Sequence, residues 1–249
     1  MRTVLAALAA FSLLLSFVTV GKALAGTDLA AGSQEADVLC HRFAADPFAG
    51  TGPQEWSHPF GSIDPFRALP PCKAALAGKP DDQNLVLANA MAYIAWRKND
   101  EARPLLEQLV AKGNPSAMLA LAFITTGPDS TALMKKAADA GNPSGMMLFG
   151  MAEITGKGVA KDEVEGGRML RRAADAGSTR AMLILANFYA KGDYGVGYDP
   201  KEAERLVADA ASRGDPAAKE SLVALRAEGQ RYTVTVKRRR GLAGFTGRQ

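Results

Sequence analysis

The sequence predicts an all-α chain, an α-solenoid of antiparallel helix pairs, on three observations. The string AADAG stands at residues 137–141 and again at 173–177, with a looser AASRG at 210–214, so that glycines 141, 177 and 214 recur every 36 or 37 positions. Each glycine is followed by the same kind of restart, Asn142-Pro143, Ser178-Thr179 and Asp215-Pro216. The chain of 249 residues is 47% hydrophobic but only 7% aromatic, and it is rich in alanine. Such small side chains suit closely packed helices better than a β-sandwich.

At the front, Met1 and Arg2 precede an apolar run from Val4 to Val20, and Ala23 and Ala25 supply the small residues of a cleavage site. This fits a secretory signal peptide at 1–25, cleaved after Ala25, with an uncleaved inner-membrane anchor as the alternative. Residues 26–80 then read as an N-terminal helical cap, with helices near 35–45 and 69–77 around a Pro/Gly-rich loop. The chain has two cysteines, Cys40 and Cys72, and in an oxidising space these are most simply one disulfide. Adding His41 and His58 gives no zinc-ligand spacing, so no metal site is expected there.

Residues 81–228 read as the repeat array. Glycine just past a helix takes the left-handed cap conformation without a Cβ penalty. Asn, Ser or Asp beside it caps the next helix, and proline fits the first helical position. Each joint is therefore one helix ending and another beginning, with the two roughly antiparallel. A looser joint lies between, around Gly156 to Asp162 and Gly192 to Asp199, so the pairs are 144–155 with 163–176 and 179–191 with 200–212. Leu133, Met134 and Ala137, then Met169, Leu170 and Ala173, then Leu206, Val207 and Ala210 fall at helical spacing for one buried face. Ala117, Gly145 and Ala181, four residues past each joint glycine, are small enough for close helix approach. The pair Gly166-Gly167 departs from this pattern, since glycine within a helix costs about 1 kcal/mol.

These residues resemble the Sel1-like repeat, a cousin of the tetratricopeptide repeat. Stretches 137–177 and 173–214 are clear members and 113–141 a degenerate one. Residues 81–113 are similar to a TPR-like pair with Leu85, Ala88, Tyr93, Ala102, Leu105, Leu106 and Leu109 on its apolar face. The resemblance implies a right-handed α-solenoid of the secreted bacterial type, whose first helices line an inner groove for a protein or peptide partner. On that basis Met147, Met151, Asn187 and Lys191 are the expected contact residues. Some cysteine-rich secreted relatives of the family are linked to β-lactam binding or hydrolysis, but they carry a cysteine pair in each repeat, and the repeats here have none.

Motifs for catalysis and cofactors are missing: there is no G-x-S-x-G, S-x-x-K, H-E-x-x-H, G-K-S/T or G-x-G-x-x-G. The expectation is a scaffold without catalytic residues, cofactor or metal, with a hydrolase as the alternative. Seven of nine methionines lie between 118 and 182. Gap-filling in the helix stack explains them most simply, and soft Cu(I) ligation by Met146, Met147 and Met151 is the sharper alternative. The end of the chain, 229–249, is a basic tail carrying Lys237, Arg238, Arg239 and Arg240. It reads most simply as a solvated, disordered segment, and behind a signal peptide the alternative is an anionic envelope surface or an acidic partner rather than nucleic acid. The expected location is the periplasm or the exterior.

Overall fold

The computed structural model describes residues 29–46, 48 and 63–223. The signal segment, His58 and the tail with Lys237, Arg238, Arg239 and Arg240 lie outside the described residues. Those described form ten α-helices and a further helical stretch at 216–223, with no strand among them. They divide into two compact units between Thr125 and Thr126.

The first unit holds α1 (Gln34–Phe43), α2 (Pro65–Gly78), α3 (Gln83–Ala95), α4 (Asn99–Ala111) and α5 (Pro115–Phe123). Cys40 of α1 and Cys72 of α2 are joined in a disulfide with their Cα atoms 4.6 Å apart, as the sequence predicts. Helix α2 opens at Pro65, four residues before the expected start at Leu69. The Asp64 carboxylate accepts from the Phe66 and Arg67 amides, and Pro65 occupies the first helical turn. Pro70 and Pro71 consequently lie inside the helix. There they remove the amides that would bond the carbonyls four residues back, and packing overrides the local rule. Helix α2 packs on α1 and α3, while α4 packs on α3 and α5. Of the expected apolar residues, Leu85, Ala88, Ala102, Leu106 and Leu109 are buried, while Tyr93 and Leu105 are half-buried.

The second unit holds α6 (Pro128–Asp139), α7 (Pro143–Thr155), α8 (Glu163–Asp175), α9 (Thr179–Lys191) and α10 (Pro200–Ser212). Its helices pack in chain order, α6 on α7, α7 on α8, α8 on α9 and α9 on α10. The joints work as their residues require. Gly141 and Gly177 have φ of 83° and 95°, and the Asn142 and Ser178 side chains accept from the amides of Gly145 and Ala181 at 2.9 and 3.2 Å. Asp162 and Asp199 cap α8 and α10 in the same way.

Close approach explains the small residues. A Cβ added to Gly145 would stand 2.7 Å from the Ala138 nitrogen, so α7 lies against the end of α6 at backbone distance. Gly166 of α8 faces the Gly150 carbonyl of α7, which a Cβ would meet at 2.5 Å. The glycine that looked costly by helix propensity is therefore required by the α7–α8 contact. Gly167 meets the 192–199 loop instead, at an ordinary 3.6 Å.

Candidate interaction surface

Helices α7 and α9 are equivalent parts of successive repeats and both adjoin α8. Residues three and four apart share a helical face, and each helix leaves such a stripe accessible. On α7 it is Leu148, Met151 and Thr155, and 36 positions later on α9 it is Ile184, Asn187 and Lys191. Leu148, Met151 and Ile184 are half-buried, and the other three are exposed. Of the four contact residues expected from the sequence, Met151, Asn187 and Lys191 thus belong to repeat-equivalent stripes. Met147 is only 3% exposed, and Leu148, rotated about 100° around the axis, takes the accessible position beside it. Leu183 and Ile184 differ less, both being half-buried. Met146 is buried as well, so the methionine side chains at 146 and 147 fill the interior.

One acidic side chain lies close in sequence to this stripe. Glu153 of α7 is 9% exposed, and its Oε2 has no hydrogen-bond partner. Burial holds its carboxyl above the usual carboxylate range. The charges of Glu165 and Asp162 push it further, and Lys135 acts in opposition. Among the described residues no group of three or more His, Cys, Asp and Glu side chains is placed to hold a metal ion.

On the other side of α9 a polar cluster ties three helices together. Arg171 of α8 donates to the Tyr189 hydroxyl of α9 at 2.5 Å and to Glu202 of α10 at 2.8 Å. Glu202 also accepts from Arg205 at 2.7 and 2.8 Å. These hydrogen bonds, those of Arg205 first, pull the Glu202 carboxyl down to about 2. The cluster was not foreseen, because its members come from three helices and share no local pattern. Its chemistry is that of a clamp: both Glu202 oxygens and the Arg171 fork are engaged by neighbouring side chains, so the cluster ties helices together rather than presenting a free charge. With half-buried aliphatic and thioether groups beside an amide and an ammonium, those stripes can bury apolar side chains and hydrogen-bond a peptide backbone.

This helix-pair arrangement is the fold of the Sel1 repeat proteins. A Sel1 repeat protein from Oxalobacter formigenes has 23% identity to the chain and a TM-score of 0.52, with 62% of this chain and 68% of that one aligned. The protein c5321, a protective antigen present in uropathogenic Escherichia coli strains displaying an SLR fold, is 18% identical with a TM-score of 0.47. The alignment covers 68% of this chain and 46% of that one. No family model matches the sequence, and no curated protein matches it.

Proposed function

We propose that the protein is an extracytoplasmic scaffold that holds a protein or peptide partner along the accessible stripes of α7 and α9. The observation that carries this reading is the repeat-equivalent display of Leu148, Met151 and Thr155 with Ile184, Asn187 and Lys191. A stack of helix pairs buries its remaining faces against its neighbours, and affinity is then distributed over several repeats. The buried Cys40–Cys72 bond supports an oxidising compartment, in keeping with the apolar leader at 1–25 and its Ala25 cleavage site. On this reading the periplasm or the cell exterior is where the partner is met.

The test is site-specific photo-crosslinking in the native envelope, with the photoreactive group placed in turn at Met151, Asn187 and Glu204. Glu204 is exposed on α10 and belongs to neither stripe. The reading requires one and the same partner to be captured from positions 151 and 187 and not from 204. Capture from 204 alone, or of unrelated proteins from 151 and 187, would overturn it.

A further inference from the structure

The first unit carries a second surface with a chemistry of its own. On α2, Phe66, Pro70 and Lys73 lie on one face, and on α3 so do Asn89 and Tyr93, continued by Trp96 at its C-cap. The two faces meet: Phe66 and Trp96 are in edge contact with ring centroids 5.5 Å apart, and the Lys73 ammonium stands 5.6 Å from the Tyr93 ring centroid. Both partners of the first contact are open to solvent, Phe66 at 71% and Trp96 at 41%. Large apolar side chains presented together in this way mark interaction sites. Along the same α3 face, Asn89 is buried and its Oδ1 has no hydrogen-bond partner.

Cations surround these rings. Lys98 lies 5.6 Å from the Trp96 centroid, and Arg67, next to Phe66, lies over Phe43 at 4.4 Å. Among the described residues Arg67, Lys73 and Arg97 have no carboxylate within ion-pair distance, and Lys98 has only Glu101 at 3.9 Å. The nearby Asp64 carboxylate is engaged by the first amides of α2. Arg97 is the sharpest sign. It follows the end of α3 with φ of 59°, whereas the left-handed positions ending α4, α6, α7, α8, α9 and α10 are held by glycines 113, 141, 156, 177, 192 and 214. An arginine in the place of glycine costs backbone strain and adds a cation next in sequence to Trp96.

We propose that this aromatic ridge, framed by Arg67, Lys73, Arg97 and Lys98, docks an acidic peptide segment of a partner protein bearing an apolar anchor residue. The anchor packs on Phe66 and Trp96, and its flanking carboxylates meet the four cations. The proposal stands on residues other than the α7 and α9 stripes and does not depend on them.

The full chain is titrated, by fluorescence anisotropy at low salt, with a labelled peptide of glutamates around a central leucine and with its glutamine counterpart. The acidic peptide binds in the micromolar range, weakens as salt is added and outcompetes the glutamine peptide by roughly tenfold. Phe66→Ala, a change at an exposed position, weakens binding about fivefold or more. Arg97→Gly weakens it comparably while raising the melting temperature, a combination that a folding defect does not give. Equal binding of the two peptides, failure of the acidic one to bind, or full affinity in both variants overturns the proposal. So does a uronic-acid polysaccharide binding where the acidic peptide does not.

Discussion

The Thr179 hydroxyl donates to the Asp215 carboxylate at 2.9 Å across 36 residues, joining the first residue of α9 to the cap of the next repeat's helical stretch at 216–223. Both residues are buried, and Asp215 also accepts from the Ala218 amide at 3.0 Å. One carboxylate therefore caps a helix and fastens it to the equivalent helix one repeat earlier. Asp215→Ala leaves the Thr179 hydroxyl and the Ala218 amide unpaired together, and is expected to destabilise by about 1–3 kcal/mol in urea unfolding. Thr179→Val keeps the cap and loses only the link, so its cost is smaller, about 1 kcal/mol. No cost for Thr179→Val would show that the link contributes nothing beyond the cap.

The adjacent glycines of α8 separate by their surroundings. Gly166→Ala drives a Cβ to 2.5 Å from the Gly150 carbonyl and 2.7 Å from Ile154 Cγ1. The gain in helix propensity, about 1 kcal/mol, is outweighed by overpacking of about 1–3 kcal/mol, and the variant loses stability. Gly167→Ala meets nothing nearer than 3.6 Å and gains about 0.5–1 kcal/mol. Thermal unfolding of the two variants should move in opposite directions.

That contrast marks how far the sequence reads. The joints at Gly141-Asn142-Pro143 and Gly177-Ser178-Thr179 were legible because every force there is local: a left-handed turn, a side-chain cap and the first turn of the following helix. The spacing of Asp162 and Asp199 was legible for the same reason. What Gly166 does was not, since its reason sits on another helix, at Gly150. The start of α2 was missed because Pro70 and Pro71 argue locally against a helix that Asp64 and Pro65 begin and that packing against α1 and α3 sustains. For the accessible stripes of α7 and α9, the resemblance pointed to Met151, Asn187 and Lys191, which the structure leaves half-buried or exposed. It could not decide between Met147 and Leu148, whose directions differ by about 100° and whose burial depends on the packing around α7.

The disulfide makes a prediction about redox conditions. Cys40 and Cys72 close a loop with a sequence separation of 32. Reduction is expected to lower stability by about 2–4 kcal/mol, mainly by releasing the unfolded chain. Calorimetry with and without a thiol reductant checks this: the wild type should shift, and a Cys40→Ala/Cys72→Ala variant should not.

Glu202 sets an acid limit. Its carboxyl, near 4.5 in the unfolded chain, is pulled to about 2 in the folded state by Arg205 and Arg171. A depressed carboxylate stabilises fully above its unfolded value and loses that contribution as pH falls toward the folded one. Between pH 5 and 2 the wild type should therefore lose more stability than Glu202→Gln, by about 1 kcal/mol once solvent screening of the exposed Arg205 is allowed for. Parallel curves for the two proteins would remove the cluster from the account of acid stability.

Glu153 works in the opposite sense. Burial and the nearby Glu165 and Asp162 raise its carboxyl above the unfolded value, so over the intervening pH range the folded protein binds the proton that the unfolded chain has released. Stability contributed by this group is present at acid pH and is lost as pH rises through the folded value. Glu153→Gln keeps the shape and removes the ionisation. At pH 8 it should be more stable than the wild type by on the order of 1 kcal/mol, and the gain should shrink as the pH is lowered toward 4. Denaturant midpoints at several pH values decide it. A gain that stayed constant with pH would mean that charge at Glu153 costs the fold nothing.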